Sequence, residues 1–437
     1  MANGTLRQAH FPPTIVSVSA RQIMSDRGHP GVEATVKTEN GATGVAICTA
    51  GVSIGTKEIA FAYDGGTKWR GKGVMRAVNA VNEKIAPLIL GMDATKQIEV
   101  DNAMLGYGEG QGKAVLGGNA TAAVSAAVLK AGAAALELPL YQHIGGARAY
   151  TLPVPGVVCL VGSDRYSPNT RSGGKPSYSF MAYGFETFAD ASYACWDIST
   201  EWGDVLNKKF KVPKIGMSGG PAVPAGVVKH DREIWDAMAE TINRLGYEGK
   251  VGIQVDVATE TYWDENQKRY VGIFSAEPKT KEDILDLYLA MVKSHPFVII
   301  EDPFDEDDYE TTARLTRAVD IQIVGDDLFT TNPARVQQGI DAGAANTVLL
   351  KVNQIGTITE AFDMIQLAYN NGYGVMPCSS RGEGSDIADY CVGINCGSVR
   401  ETGTGPGGNR FLQIEAELGA RAKFAGKQGL KGARFQK

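Results

Sequence analysis

From Thr14 to Cys48, apolar and polar residues alternate in three short runs, TIVSVSARQI, GVEATVKT and GATGVAIC, separated by Gly-containing turns. A period of two broken by turn residues predicts three strands of an antiparallel meander. After Gly73 the period lengthens. In GVMRAVNAVNEKIAPLIL and NATAAVSAAVLKAGAAALEL the apolar residues recur every three or four positions, which predicts helices. Strands followed by helices make residues 1–145 an α+β unit. From residue 146 to residue 437 the rhythm is different. Seven apolar runs, LPVPGVVCLV, KVGIQVDVA, FVIIEDPF, IQIVGDD, TVLLKVN, YGVMPCSS and GINCGSV, mostly alternate with amphipathic stretches such as KEDILDLYLAMVKSH and TITEAFDMIQLAYNNG. Continuous apolar strands separated by helices predict a parallel sheet covered by helices. The fold class is therefore α/β, a TIM-type (β/α)8 barrel preceded by an α+β capping domain, with one barrel strand that the pattern does not place.

Three of these runs end in a carboxylate: Asp256, Glu301 and Asp326. The C-terminal ends of barrel strands form the active-site rim, so the three acids converge there. Left uncompensated they would repel one another. A hard divalent cation relieves that repulsion, and an all-oxygen set selects Mg²⁺ over zinc. The alternative is three helix caps or surface acids at loop starts. Lys351 lies between Leu350 and Val352, at another strand end. Desolvation and a neighbouring cation would both lower its pKa toward that of a general base; the alternative is a lysine snorkelling to solvent. Arg381 and Ser380 follow a further strand, where the guanidinium can hold a phosphate or carboxylate or simply lie on a Gly-rich surface loop.

Composition narrows the partners. The 437 residues carry a net charge of −6, with 43% apolar and 21% charged residues. A soluble protein with an acidic balance argues against nucleic acid or a membrane surface as partner. Six cysteines without a CxxC pair argue against a zinc site or a disulfide framework, and the N-terminus lacks an apolar signal region. The expected location is the cytoplasm.

Against that background, SDRGHPGVEA, GVSIGTKE, KWRGKGV, LPLYQHIGG, IIEDPFDEDD, QIVGDDL, LLKVNQIGT and FLQIEAELG, spread along nearly the whole chain, resemble the enolase family. The resemblance implies Mg²⁺ on Asp256, Glu301 and Asp326, with Ser53 ligating a second ion when its loop closes. It implies Lys351 as the base that removes an α-proton, giving an enediolate stabilised by metal, and Arg381 as a contact to the substrate phosphate. A homodimer or higher homo-oligomer is implied by the strand motif around Arg27 and Glu33.

The chain also departs from the family pattern. Where enolases have GDEGG, this chain has Gly216-Met217-Ser218-Gly219-Gly220; Ser218 replaces the catalytic acid and becomes a candidate substrate contact. SHRSGE becomes Ser379-Ser380-Arg381-Gly382-Glu383, and QEFM becomes Tyr178-Ser179-Phe180-Met181. The second lysine of the family, near QIKTG, falls at Arg400 or Glu401, and the loop GSDRYSPNTRSGGKPS carries Arg165, Arg171 and Lys175. These changes lead to the expectation of a small phosphorylated or phosphonate substrate and an altered elimination or transfer step, similar to carboxyphosphonoenolpyruvate synthase in phosphonate biosynthesis. The alternatives are an ordinary phosphopyruvate hydratase and a non-catalytic scaffold.

Overall fold

The computed structural model describes residues 12–25, 28–51, 55–162, 165–166, 175–212 and 221–432. The N-terminal meander forms as its alternation requires. Strands β1 (Ile15–Met24), β2 (Pro30–Thr38) and β3 (Thr43–Cys48) pair antiparallel in that order. Helix α1 (Gly118–Ala135) lies against β2 and β3 and buries Ala120, Ala123, Val124, Ala127 and Val128 on them. Its small residues let the backbones approach closely: a Cβ on Gly44 of β3 would lie 2.0 Å from the Ala127 carbonyl oxygen.

All seven apolar runs of the second half contribute barrel strands. These are β4 (Val154–Leu160), β6 (Val251–Asp256), β7 (Phe297–Glu301), β8 (Gln322–Gly325), β9 (Thr347–Leu350), β10 (Gly374–Pro377) and β11 (Ser398–Thr402). The strand that the pattern left unplaced is β5 (Ser177–Ala182). It pairs antiparallel with both β4 and β6, so this side of the barrel is not the parallel sheet that the pattern predicts. The reason is the connection. Only the segment 161–176 joins β4 to β5, with no crossover helix among its described residues, and a parallel neighbour needs a crossover. The sheet order is β10-β9-β8-β7-β6-β5-β4-β11. Gln322 of β8 donates from Nε2 to Ser398 Oγ of β11 at 3.0 Å across the interior. The barrel sheet is thus nearly closed, with helices outside it.

Every residue of β6, β7, β8 and β9 is buried. That burial explains why these strands read as unbroken apolar runs and fixes where their polar ends emerge. The amphipathic stretches between them become α2 (Lys281–Ser294), α3 (Tyr309–Ala318), α4 (Pro333–Ala342) and α5 (Ile358–Asn370). α2 begins with a capping box, in which the Thr280 hydroxyl and the Asp283 carboxylate satisfy each other's backbone N–H. Among the described residues no single helix is long and apolar enough to cross a membrane.

Candidate active site

Asp256 and Glu301 are the last residues of β6 and β7, Asp326 follows the last residue of β8, and Lys351 follows that of β9. Neighbouring parallel strands place these residues side by side at one mouth of the barrel, with Asp256 opposite Glu301 in register. Oxygens of Glu301, Asp302 and Asp326 lie within 4.8 Å of one another, which is close enough to hold a metal ion. Asp302 was not singled out by the sequence. It has a left-handed backbone (φ 45°), and its carboxylate accepts from the backbone N–H groups of Asp326 (2.9 Å) and Asp327 (3.0 Å). Two carboxylate oxygens, Asp256 Oδ1 and Glu301 Oε1, are buried without a hydrogen-bond partner. Orphaned buried anionic oxygens on converging strands fit a divalent cation bound by oxygen.

The electrostatics agree. Burial pushes Glu301 up to about 8, against the pull of Arg400 and with the repulsion of Asp256 added. Burial and then Asp326 push Asp327 up to about 7, and burial and then Asp327 push Glu260 up to about 8. Burial first, and then the neighbouring carboxylates, thus make ionisation of these acids costly, a cost that a bound cation would relieve.

Lys351 is 5% exposed, and its Nζ is ion-paired with Asp326 Oδ2. The backbone N–H of Lys351 donates to Thr331 Oγ1 (3.0 Å), and Gln354 Nε2 donates to Asp326 Oδ1 (2.8 Å). Thr331 and its neighbour Thr330 have φ values of 56° and 47°, an uncommon conformation for a β-branched residue. Strain of this kind gathers where surrounding structure fixes a functional geometry. Burial is the largest single effect on Lys351 and lowers its pKa, but the pull of Asp326, with Cys378 and Glu58 added, outweighs it and holds the ammonium above its ordinary range. In turn, although burial opposes ionisation, Lys351 holds Asp326 down at about 2.

Arg381 is 1% exposed, so it is not a surface arginine. It makes a bidentate pair with Glu58, Nη1 to Oε2 at 2.7 Å and Nη2 to Oε1 at 2.5 Å, and its Nε has no partner. Ser380, beside it, is buried. Asn353 Nδ2 donates to the carbonyls of Thr49 (2.9 Å) and Arg381 (3.1 Å), which ties this loop to the N-terminal domain. The N-terminal domain thus reaches the barrel mouth. A Cβ on Gly55 would lie 2.6 Å from Asp327 Oδ1, and the Thr56 N–H donates to Glu306 Oε2 at 3.1 Å. Ser53 and Ser218 lie outside the described residues, as does Arg27. Two further cations enter the mouth. Arg400 on β11 and Lys175, two residues before β5, both pair with Asp256 Oδ2, and Arg400 Nε also lies 3.3 Å from Glu301 Oε2. None of the described histidines, His29, His143, His230 and His295, lies at the C-terminal end of a barrel strand.

An α/β barrel with an acidic cluster and a buried lysine on successive strand ends, capped by an N-terminal α+β domain, defines the architecture of the enolase-superfamily lyases. Residues 15–144 match the family described as "Enolase, N-terminal domain", and residues 149–433 match "Enolase, C-terminal TIM barrel domain". The chain is 39% identical to a protein named Enolase from Bifidobacterium animalis subsp. lactis, over 96% of this chain and 99% of that one. It is 38% identical to Enolase from Methanopyrus kandleri (94% and 98%) and 39% identical to Enolase from Methanocaldococcus jannaschii (94% and 97%). The chain belongs to the enolase family.

These relatives overturn the expectation of an altered elimination or transfer step and, with it, the phosphonate reading. Proteins named plainly Enolase match this chain almost end to end. The departures are single side chains and one loop on a framework kept along that whole length. Loss of a general acid typically lowers a rate by about 10²–10⁴-fold. That is a change of rate, and it does not by itself define a different reaction.

Proposed function

We propose that this protein is a phosphopyruvate hydratase that dehydrates 2-phosphoglycerate to phosphoenolpyruvate with Mg²⁺. The observation that carries the reading is the buried Lys351 ammonium paired with Asp326 inside the strand-end acid cluster, in a chain this similar to proteins named Enolase. In this reading Asp256, Glu301 and Asp326 hold the ion. A divalent ion held there would supply Lewis-acid stabilisation of the charge that develops on the substrate carboxylate. Lys351 must first lose its own proton, which a cation held on Asp326 would favour by withdrawing that carboxylate's pull; the neutral Nζ then takes the α-proton, and Thr331 and Gln354 fix where the amine and its carboxylate partner sit. The Cα–H electron pair becomes the new C=C bond, the Cβ–O bond breaks, and hydroxide leaves as water with a proton from the site. Arg381 and Ser380 face the substrate phosphate, Glu58 setting the guanidinium in place. Ser53 and Ser218 are assigned to a second metal ion and to a substrate contact on the family resemblance alone.

The chain is further taken to form a homodimer through the outer β1–β2 face. There Glu33 pairs with Arg21 at 2.6 Å, and Val16 and Met24 are exposed. Six buried free thiols suit a reducing, cytoplasmic setting. The reading is tested by incubating the purified chain with 2-phosphoglycerate and following phosphoenolpyruvate by its ultraviolet absorbance. Formation with Mg²⁺ and its loss with excess EDTA are expected. Absence of phosphoenolpyruvate under metal-replete conditions would overturn the assignment.

A further inference from the structure

Asp256 is the proposed metal ligand that carries two cations on a single carboxylate oxygen. Asp256 Oδ2 is paired with both Lys175 Nζ and Arg400 Nη2, while Oδ1 is buried and unpartnered. The Lys175 side chain is 13% exposed and that of Asp256 is 2% exposed, so the pair is largely shielded from water. The fold puts the lysine there. Ser177, the first residue of β5, is the register partner of Asp256, and Lys175 lies two residues earlier in the chain, next to that carboxylate. Ser177 Oγ in turn accepts from Arg400 Nη2 at 3.2 Å. The other shoulder of the connecting segment is pinned deep in the protein. Asp231, which is fully buried, accepts from Arg165 Nη2 (3.1 Å), Tyr166 Oη (2.7 Å) and Tyr178 Oη (2.6 Å).

A divalent ion on Asp256 would bring two positive charges beside this ammonium at low dielectric. Two roles for Lys175 then predict opposite effects. As a positioning residue that orients the ligand, it would strengthen metal binding. As a competing counter-ion, it would weaken it. We infer that Lys175 is a built-in counter-cation that competes with the metal ion for Asp256 and tunes the site to a weaker metal affinity. The geometry favours competition. The ammonium sits on Oδ2 of the same carboxylate whose Oδ1 is left to the metal, on an acid with a second cation already attached, so it competes through charge: it has already neutralised the carboxylate and places a like charge beside the ion.

The inference rests on Asp256 being a metal ligand, and the experiment separates the two. Mn²⁺ binding to the full-length wild type, Lys175→Met and Asp256→Asn is measured by calorimetry, with the fold of each checked by circular dichroism. Loss of binding in Asp256→Asn shows that the ligand assignment holds. With that control in place, Lys175→Met should bind Mn²⁺ about tenfold more tightly, the effect of removing a shielded competing charge worth roughly 1.4 kcal/mol. Lys175→Arg, which keeps the charge, should stay near the wild type. Weaker or unchanged binding in Lys175→Met would overturn the inference. Unchanged binding in Asp256→Asn would instead overturn the ligand assignment and remove the ground for competition.

Discussion

At the scale of single residues, the acids at the strand ends were legible because burial leaves strands little choice. The run VGIQVD is buried at every position, so a carboxylate at its end is conspicuous. Glu301 could be read the same way. What could not be read were the partners. Glu58 meets Arg381 across 323 positions of sequence, and no local pattern records such a pairing. The sequence left Arg400 and Glu401 as alternatives because β11 runs on to Thr402 as the polar Arg-Glu-Thr, past the point where its apolar stretch ends. The charge state of Lys351 likewise depends on Asp326, 25 positions away, as well as on burial. Removing one ligand tests this scale. Glu301→Gln keeps the shape of the side chain and its contact with Gln254 but withdraws a charge. It should weaken Mg²⁺ binding measured by calorimetry by tenfold or more, on the order of the 1.4 kcal/mol per decade in affinity. Wild-type affinity would remove Glu301 from the ligand set.

At the scale of elements, the period of the pattern found the meander, the outer helices and seven barrel strands. It missed β5, whose Ser-Tyr-Ser-Phe alternation reads as neither a buried parallel strand nor a helix. That strand turns Tyr178 toward Asp231 and Trp235, and Ser177 toward Arg400. Helix Leu140–Gly145 gives a test at this scale. It carries His143, which lines a groove of about 470 Å³ together with Ile98, Leu129, Ile358 and Phe362, at the seam between the N-terminal unit and the barrel. Burial lowers the pKa of His143 below the ordinary 6.5. The folded state therefore binds this proton less readily than the unfolded chain. The stability gained is present above 6.5 and is lost as the pH falls below it toward the lower folded value. His143→Gln should flatten part of the fall in the urea midpoint between neutral and mildly acidic pH. An unchanged slope would show that other groups set it; His230, also lowered by burial, is the first to examine.

At the scale of the whole molecule, the N-terminal unit and the barrel complete one site between them. Gly55, Thr56 and Glu58 come from the first, and the acids, Lys351 and Arg381 from the second. The family was legible from motifs along the chain, whereas the departures drew the sequence reading toward a different reaction because the effect of single replaced side chains on a rate cannot be read from residue types alone. A homodimer through the β1–β2 face predicts that the chain sediments at twice its 46.5 kDa mass at micromolar concentration, and a monomer there would remove that assignment. The central claim is that Lys351 removes the substrate α-proton within this acid cluster. Its most direct test is the exchange of the 2-phosphoglycerate α-proton with deuterated solvent, followed by NMR with Mg²⁺ present, for the wild type and Lys351→Met. The account predicts exchange by the wild type and a loss of about 10²–10⁴-fold in the variant, the usual contribution of a general base. Exchange persisting at the wild-type rate in a folded Lys351→Met protein would contradict it.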